Sequence, residues 1–325
     1  MRADIGIDLG TSSILVYVRG KGVVVKEPSL VAFDRDSNTI KEIGEEARAL
    51  IGQSAGNIIG VRPLKKGVVT DYTVTEKMIR YFVQKSLGKL IFKKPRINIS
   101  VPCNITEVER RAVSEAAMAA GAREVTLVDE PMAAAIGAGV DIYKPCGSMV
   151  VDIGGGTTDI AVMSLGGIVA HTSIKTAGND FDNAIAKYIR DEYDILIGDS
   201  LAENIKMKIG TASMNMLEEK TEVQGREVAT GLPKKVTLSS MEMAKVLKEP
   251  IGQIIEGIRV VLEETEPELA ADVLERGILL AGGGSLIRGL DKFIEEKTAI
   301  RTILPDEPLL VVAIGTGMYE ETQLK

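Results

Sequence analysis

Cysteine and histidine are scarce in this chain of 325 residues: Cys103, Cys146 and His171 are all it has. Two cysteines cannot build a disulfide framework or a multi-cysteine metal site, so reduced thiols in a cytoplasm are the expectation. A single histidine with no accompanying partner motif reads as a strand residue and not as a catalyst. Positive charge is short as well, with 39 Lys and Arg against 46 Asp and Glu and a net charge of −7. A general nucleic-acid binder needs a surplus of Lys and Arg on its binding face, so that class is set aside and any membrane contact must be local. No stretch reaches the ~20 apolar residues of a membrane span. The first strand begins within a few residues of Met1, which leaves no room for a signal peptide. A cytoplasmic protein is expected.

What is present describes a folded α/β protein. Hydrophobic residues make up 45% and charged residues 26%, ordinary for a chain that folds throughout. Its length exceeds what one small core serves and suggests two lobes. An internal echo supports this: Ile5-Gly6-Ile7-Asp8-Leu9-Gly10-Thr11 resembles Met149-Val150-Val151-Asp152-Ile153-Gly154-Gly155-Gly156-Thr157. Each copy is a strand that ends in Asp and a glycine turn. β-rich runs follow at Ile14 to Val18 and Val23 to Val25, and again at Ile160 to Met163 and Ile168 to Ile174, so each lobe opens with a three-stranded meander. Helix and strand alternations follow both meanders, which implies a sheet with helices packed on it in each half.

Caps mark the helices. Thr73 with Glu76 and Thr106 with Glu109 have capping-box spacing, and Gly88 and Gly121 read as stops. Ile97, Ile99 and Val101 alternate as in a half-buried strand. Pro131 suits the first turn of an Ala-rich helix, which puts Glu130 at a strand-to-helix junction. Helices are expected at Phe181 to Ile195, Leu201 to Met207 and Met241 to Leu262. The β-like runs of Thr221 to Leu238, broken by glycines and Pro233, suggest an inserted subdomain. Met207, Met214 and Met216 read as core fillers.

The chemistry lies in the glycine turns. Phosphate is held well by N–H groups that converge in a tight turn, and glycine lets the backbone come close. Gly10-Thr11-Ser12-Ser13 and Gly154-Gly155-Gly156-Thr157-Thr158 could clamp the terminal phosphates of a nucleotide from opposite lobes. Either turn alone would more readily be a tight hairpin than a phosphate site. Asp8 and Asp152 end their strands just before these turns, where they either hold the water shell of Mg²⁺ or satisfy turn amides. A third run, Gly282-Gly283-Gly284, follows an apolar strand and would let a flat adenine approach. Glu203 and Lys206 are three apart on an expected helix and can reach a ribose hydroxyl and the base; in isolation they would be a surface ion pair. Hydrolysis needs a group that orients water for in-line attack. Glu130 is the candidate, with Thr157 as second orienter and Asp152 beside the metal; the alternative for Glu130 is a helix N-cap.

Together the three loops, Val128-Asp129-Glu130-Pro131-Met132-Ala133-Ala134-Ala135 and Ala313-Ile314-Gly315-Thr316-Gly317 resemble the actin, sugar-kinase and heat-shock-chaperone ATPase superfamily. Within it the chain is most similar to MreB and its paralogues such as Mbl, nearly end to end, including Val61 to Val68 and Glu203-Asn204-Ile205-Lys206. The resemblance implies an actin-like α/β fold of two duplicated lobes with smaller inserted subdomains around an interlobe ATP site. The expected division is residues 1–140 for a first lobe, 141–310 for a second with its insertion near 182–250, and 311–325 for a strand and helix returning to the first. It also implies ATP and Mg²⁺ as ligands, hydrolysis coupled to filament dynamics, and self-assembly into paired protofilaments on the inner face of the cell membrane. The implied partner is the cell-wall elongation machinery. Ser13, Asp129 and Asn179 depart from the family pattern, which usually has Asn, Glu and Asp there. A small-molecule kinase of the same superfamily is the main alternative, though no sugar-binding loop is evident; a chaperone-type ATPase would need a peptide-binding domain.

In place of an N-terminal membrane helix, the family's other device is an exposed apolar loop in the first lobe. Leu90-Ile91-Phe92 matches it between Gly88 and Pro95, among Lys85, Lys89, Lys93, Lys94 and Arg96 with no acidic residue in the interval. Burying three such side chains contributes ~1.5–3 kcal/mol each, and nearby basic groups about 1 kcal/mol each on anionic lipid. One subunit would bind weakly and a filament by avidity. The alternative is that these residues are core.

Overall fold

The computed structural model describes residues 4–53, 56–88 and 94–322. The apolar triplet Leu90 to Phe92, with Lys89 and Lys93, lies outside them; Lys94 is exposed.

Two five-stranded sheets carry the fold, and they repeat one pattern. In the first, the meander Ile5–Leu9, Ser13–Val18 and Gly22–Pro28 is extended by Arg96–Val101 and Glu124–Asp129. Both added strands run parallel to Ile5–Leu9. In the second, the meander Ser148–Ile153, Thr158–Ser164 and Gly167–Ile174 is extended by the parallel strands Ile278–Ala281 and Thr302–Ile303. Asp8 and Asp152 thus lie next to last in the central strand of their sheets. In open α/β sheets, ligand crevices form beyond such carboxyl ends.

Apolar faces explain the layers. In the first lobe, Met78, Ile79 and Phe82 of helix Tyr72–Leu87 pack with Ile5, Ile7, Ile97 and Ile99 of the sheet. In the second, Phe181, Ile185 and Ile189 of helix Gly178–Tyr193 meet Leu247, Ile251 and Ile254 of the long helix Ser240–Glu264 against Val151, Ile160 and Val162. Each lobe also carries a small sheet. Ile195–Leu196, Lys220–Glu227 and Pro233–Ser239 form the one suggested by the broken β-like runs. Val31–Asp34, Thr39–Ile43 and Ile58–Val61, with helix Glu45–Gln53, form a counterpart in the first lobe that no sequence signal was read to predict.

The final helix, Val311–Thr322, returns to the first lobe and crosses helix Glu130–Gly137. The crossing is so close that a Cβ at Gly315 would run into the Ala133 carbonyl, and one at Gly137 into that of Val311. Asn98 Nδ2 donates to the Thr316 carbonyl at 2.9 Å, tying this helix to the first sheet. Val128, Ile136, Val150, Leu279 and Val312 form one apolar cluster shared by the two lobes, so the lobes are joined at a packed crossing.

Local expectations were met unevenly. Thr106 and Glu109 form the full capping box, with Glu109 N to Thr106 Oγ1 at 3.2 Å and Thr106 N to Glu109 Oε2 at 2.7 Å, and Gly121 ends that helix in the left-handed region. Thr73 does not cap. The cap is Asp71, whose Oδ1 accepts from Val74 N at 2.9 Å, while Glu76 pairs with Arg80 one turn on. Asp71 wins because a carboxylate at the N-cap meets both the orphan amide and the helix dipole. Met207, Met214 and Met216 are exposed and not core fillers.

Candidate functional site

The cleft between the lobes encloses about 620 Å³. The first lobe contributes Asp8 and the turn Gly10 to Ser13; the second contributes Asp152 and the turn Gly154 to Thr157. The strand hairpins that launch these turns bring them face to face. Cβ atoms at Gly155 and Gly156 would collide with Ser12 and Thr11 respectively, so only glycine lets the backbones approach this closely. Glu203, Lys206, Met207 and the run Gly282 to Gly284 close the far end.

Of the residues singled out for phosphate, base or water, only Thr158 is absent from this lining. It is fully buried, and its hydroxyl donates to the Thr176 carbonyl at 2.7 Å. Alternation along the strand sends Thr157 and Thr158 to opposite faces. Lys206 is held by Asp182 at 2.9 Å and by the Gly178 carbonyl at 3.0 Å, with Glu203 one turn away on helix Asp199–Ile209.

Asp8, Glu130 and Asp152 line the cleft floor, and Asp159 lies beneath them against Glu130. Glu130 opens its helix one residue after the N-cap Asp129 and is itself buried, so the capping alternative for Glu130 does not hold. Arg110 binds Asp129 at 2.6 Å and steadies that junction. Asp159 is the residue the sequence reading passed over. It sits directly opposite Asp152 in the antiparallel register, and its Oδ1 accepts from the Cys103 amide of the other lobe at 3.0 Å. The signal was present: a hairpin turning at Gly154 to Thr157 necessarily pairs Asp152 with Asp159.

Burial is the leading cause that pushes all four carboxyls up. Asp8 rises to about 7, moderated by the Ser100 hydroxyl 3.2 Å away. Glu130 lies well above the usual carboxylate range because it is buried and then because Asp159, Asp152 and Asp8 repel its charge. Asp152 is raised by burial and then by Asp8 and Asp159. In Asp159, burial outweighs the hydrogen bonds from Cys103, Ser173 and Thr157.

This is the environment a divalent cation would relieve. The buried Asp152 Oδ1 has no hydrogen-bond partner, an orphan acceptor suited to a metal-bound water. Among the described residues, no three Cys, His, Asp or Glu side chains converge closely enough to chelate an ion directly. With that orphan acceptor, Asp152 and its counterpart Asp8 are residues that would fit Mg²⁺ through its water shell.

Among the described residues, no helix is long and apolar enough to cross a membrane. Comparison with known proteins matches residues 2–325 to the family described as "MreB/Mbl protein". The chain is 48% identical to the cell shape-determining protein Mbl of Bacillus subtilis (strain 168) over 97% of this chain and 95% of that protein. It is 46% identical to the cell shape-determining protein MreB of Escherichia coli (strain K12), covering 97% and 92% of the two chains. MreB5 of Spiroplasma citri, 38% identical, superposes with a TM-score of 0.93 in its ADP-bound crystal structure, over 99% of this chain and 97% of that one. Its AMPPNP-bound structure superposes with a TM-score of 0.94, over 100% and 97%.

Proposed function

Because this chain belongs to the MreB/Mbl family, we propose that it is an actin-like cytoskeletal protein that determines cell shape, binding ATP in the interlobe cleft and hydrolysing it there. The observation that carries this reading is the convergence of two glycine turns and an acidic floor from opposite lobes on one cleft. The two S. citri structures, with ADP and AMPPNP, support an adenine nucleotide as its occupant.

The roles follow from position. Backbone amides of Gly10 to Ser13 and Gly154 to Thr157 bind the terminal phosphates, and Gly282 to Gly284 leave a flat face for adenine. Glu203 and Lys206 reach toward ribose and base. Asp8 and Asp152 would hold Mg²⁺ through its water shell, and the ion would supply charge neutralisation at the phosphates. Glu130 and Thr157 orient the attacking water. Because hydrolysis asks mainly for positioning, a buried carboxyl fixed at the start of a helix suits that task.

Nucleotide binding drives self-assembly into filaments, and the loop at Leu90 to Phe92, with Lys89, Lys93 and Lys94, attaches them to the inner face of the membrane. There they organise the cell-wall elongation machinery. Sedimentation with ATP and lipid, run beside phosphorylation assays with common sugars, tests the reading. Polymer with ATP and no sugar phosphate is expected; stoichiometric sugar phosphate without polymer overturns it in favour of the kinase alternative.

A further inference from the structure

Arg62 stands behind the first phosphate turn, outside the lining of the cleft. It follows strand Ile58–Val61 and precedes the short hairpin Leu64–Lys65 and Val68–Val69. Its Nη1 lies 3.4 Å from both the Thr11 and the Ser12 carbonyl oxygens, sharing one donor between consecutive acceptors. The same segment reaches the turn a second time, where the Gly67 amide donates to Thr11 Oγ1 at 3.1 Å. One residue earlier, Lys66 Nζ crosses to the second lobe and donates to the Lys175 carbonyl at 3.0 Å, with Asp180 3.6 Å away.

Peptide geometry turns this into a consequence for the cleft. In a trans peptide the carbonyl and the following N–H point in opposite directions. A guanidinium behind the Thr11 and Ser12 carbonyls, the latter also held by the Ser29 amide at 3.0 Å, therefore lies opposite the Ser12 and Ser13 amides, and both residues line the cleft. The planar guanidinium holds Nη1 in a fixed place between the two acceptors, which a lysine ammonium at the end of a flexible stem does not reproduce.

We infer that Arg62 is a positioning residue for the terminal phosphates, setting the direction of the Ser12 and Ser13 amides from behind the turn without touching the nucleotide. The inference rests on the proposal that the cleft binds ATP. Burial holds the Arg62 guanidinium below its ordinary value, opposed by Glu203 and then by Asp199 and Asp182 of the second lobe, with Arg48 adding to the lowering.

The test compares wild type with Arg62→Lys and Arg62→Gln by calorimetric titration with Mg-ATP, ADP and AMP, alongside thermal melting. Removing a charge-assisted positioning contact should weaken ATP and ADP binding about tenfold or more. AMP, which lacks the terminal phosphates, should bind each variant as it binds wild type, and Arg62→Lys should not restore ATP binding. Equal losses for ATP and AMP, or rescue by lysine, overturn the positioning role; so does a Gln variant that binds ATP normally. Wild-type protein that binds no nucleotide overturns the nucleotide reading, and this inference with it. A folded Lys variant keeps the comparison valid if the Gln variant melts early.

Discussion

Ser12 Oγ donates a 2.9 Å hydrogen bond to Asn179 Oδ1, joining residues 167 positions apart across the mouth of the phosphate clamp. Asn179 lies in the first turn of the second-lobe helix that leans on the glycine turn, its backbone amide donating to the Gly155 carbonyl at 2.8 Å. The Asn179 amide oxygen accepts the bond without adding another negative charge to an already acidic floor. Ser12→Ala should cost about 0.5–1.5 kcal/mol of stability in nucleotide-free protein, the net worth of one such bond. Urea denaturation would read it, and an unchanged midpoint would show that the bond does not hold the lobes together. Asn179→Asp keeps the acceptor but adds a negative charge near the raised carboxyls, so it should lower the stability of nucleotide-free protein, more at about pH 8 than at about pH 5.5.

Glu130→Ala should retain Mg-ATP binding while phosphate release falls about 100-fold or more, the range for losing an acid–base or water-orienting group. Unchanged turnover removes Glu130 from the mechanism. Asp152→Ala should instead shift the Mg²⁺ dependence, and a Mg²⁺ titration matching wild type counts against the water-shell role. Because the cluster is strained by burial and mutual repulsion, Glu130→Gln should also raise the melting temperature of the nucleotide-free protein.

The pH dependence has a definite sign. Asp8 titrates near 7 when folded against an ordinary 3.8, so between these values the folded chain holds a proton that the unfolded chain has released. Glu130, Asp152 and Asp159 are raised in the same direction. Nucleotide-free protein should therefore gain stability as pH falls from about 8 to about 5.5, and lose it again as pH rises through 7. Mg-ATP favours the ionised carboxylates, so it should flatten or reverse that slope. A melting temperature that falls with pH in the free protein would contradict the burial argument.

Replacing Leu90, Ile91 and Phe92 together with Ser should abolish liposome co-sedimentation and leave nucleotide binding and melting nearly unchanged. If these residues belong to the core, each truncation should cost ~2–5 kcal/mol and the triple variant should be largely unfolded. Raising salt should weaken wild-type binding by screening Lys89, Lys93 and Lys94 while sparing the apolar part. Strong lipid binding by the triple variant would sink the loop assignment.

The crossing of the last helix with helix Glu130–Gly137 admits no side chain at Gly315. Gly315→Ala should destabilise the protein by about 1–3 kcal/mol through forced displacement of packed backbone, read by thermal denaturation. A variant as stable as wild type would mean that the helices separate at no cost.

Much of the site was legible because its signals are local. A strand ending in Asp, a glycine turn and a second strand occur within a dozen neighbouring residues, and their repetition announced two lobes. Pro131 placed Glu130 at the helix start for the same reason. Errors arose where local signals compete. Asp71 displaced Thr73 as a cap because it offers the stronger acceptor two residues earlier, and Thr158 turned from the cleft because strand alternation overrides membership of a motif. Methionine was read as core, but Met207, Met214 and Met216 lie on surface segments of the second lobe.

By itself, then, the sequence determined the pieces: two matching phosphate turns, an acid before each, a carboxyl at a helix start, and membership of a family whose motifs run through the whole chain. Only the tertiary structure decided how these pieces face one another. Asp159 joins the acidic floor through strand register, Arg62 reaches the Thr11 and Ser12 carbonyls from 51 and 50 residues away, and Ser12 meets Asn179 from the other lobe. The physical reason is that turns and caps are set by the backbone preferences of adjacent residues. Long-range partners are set by which apolar faces must be buried together, here along a helix crossing that lets the two clamps close on a single cleft.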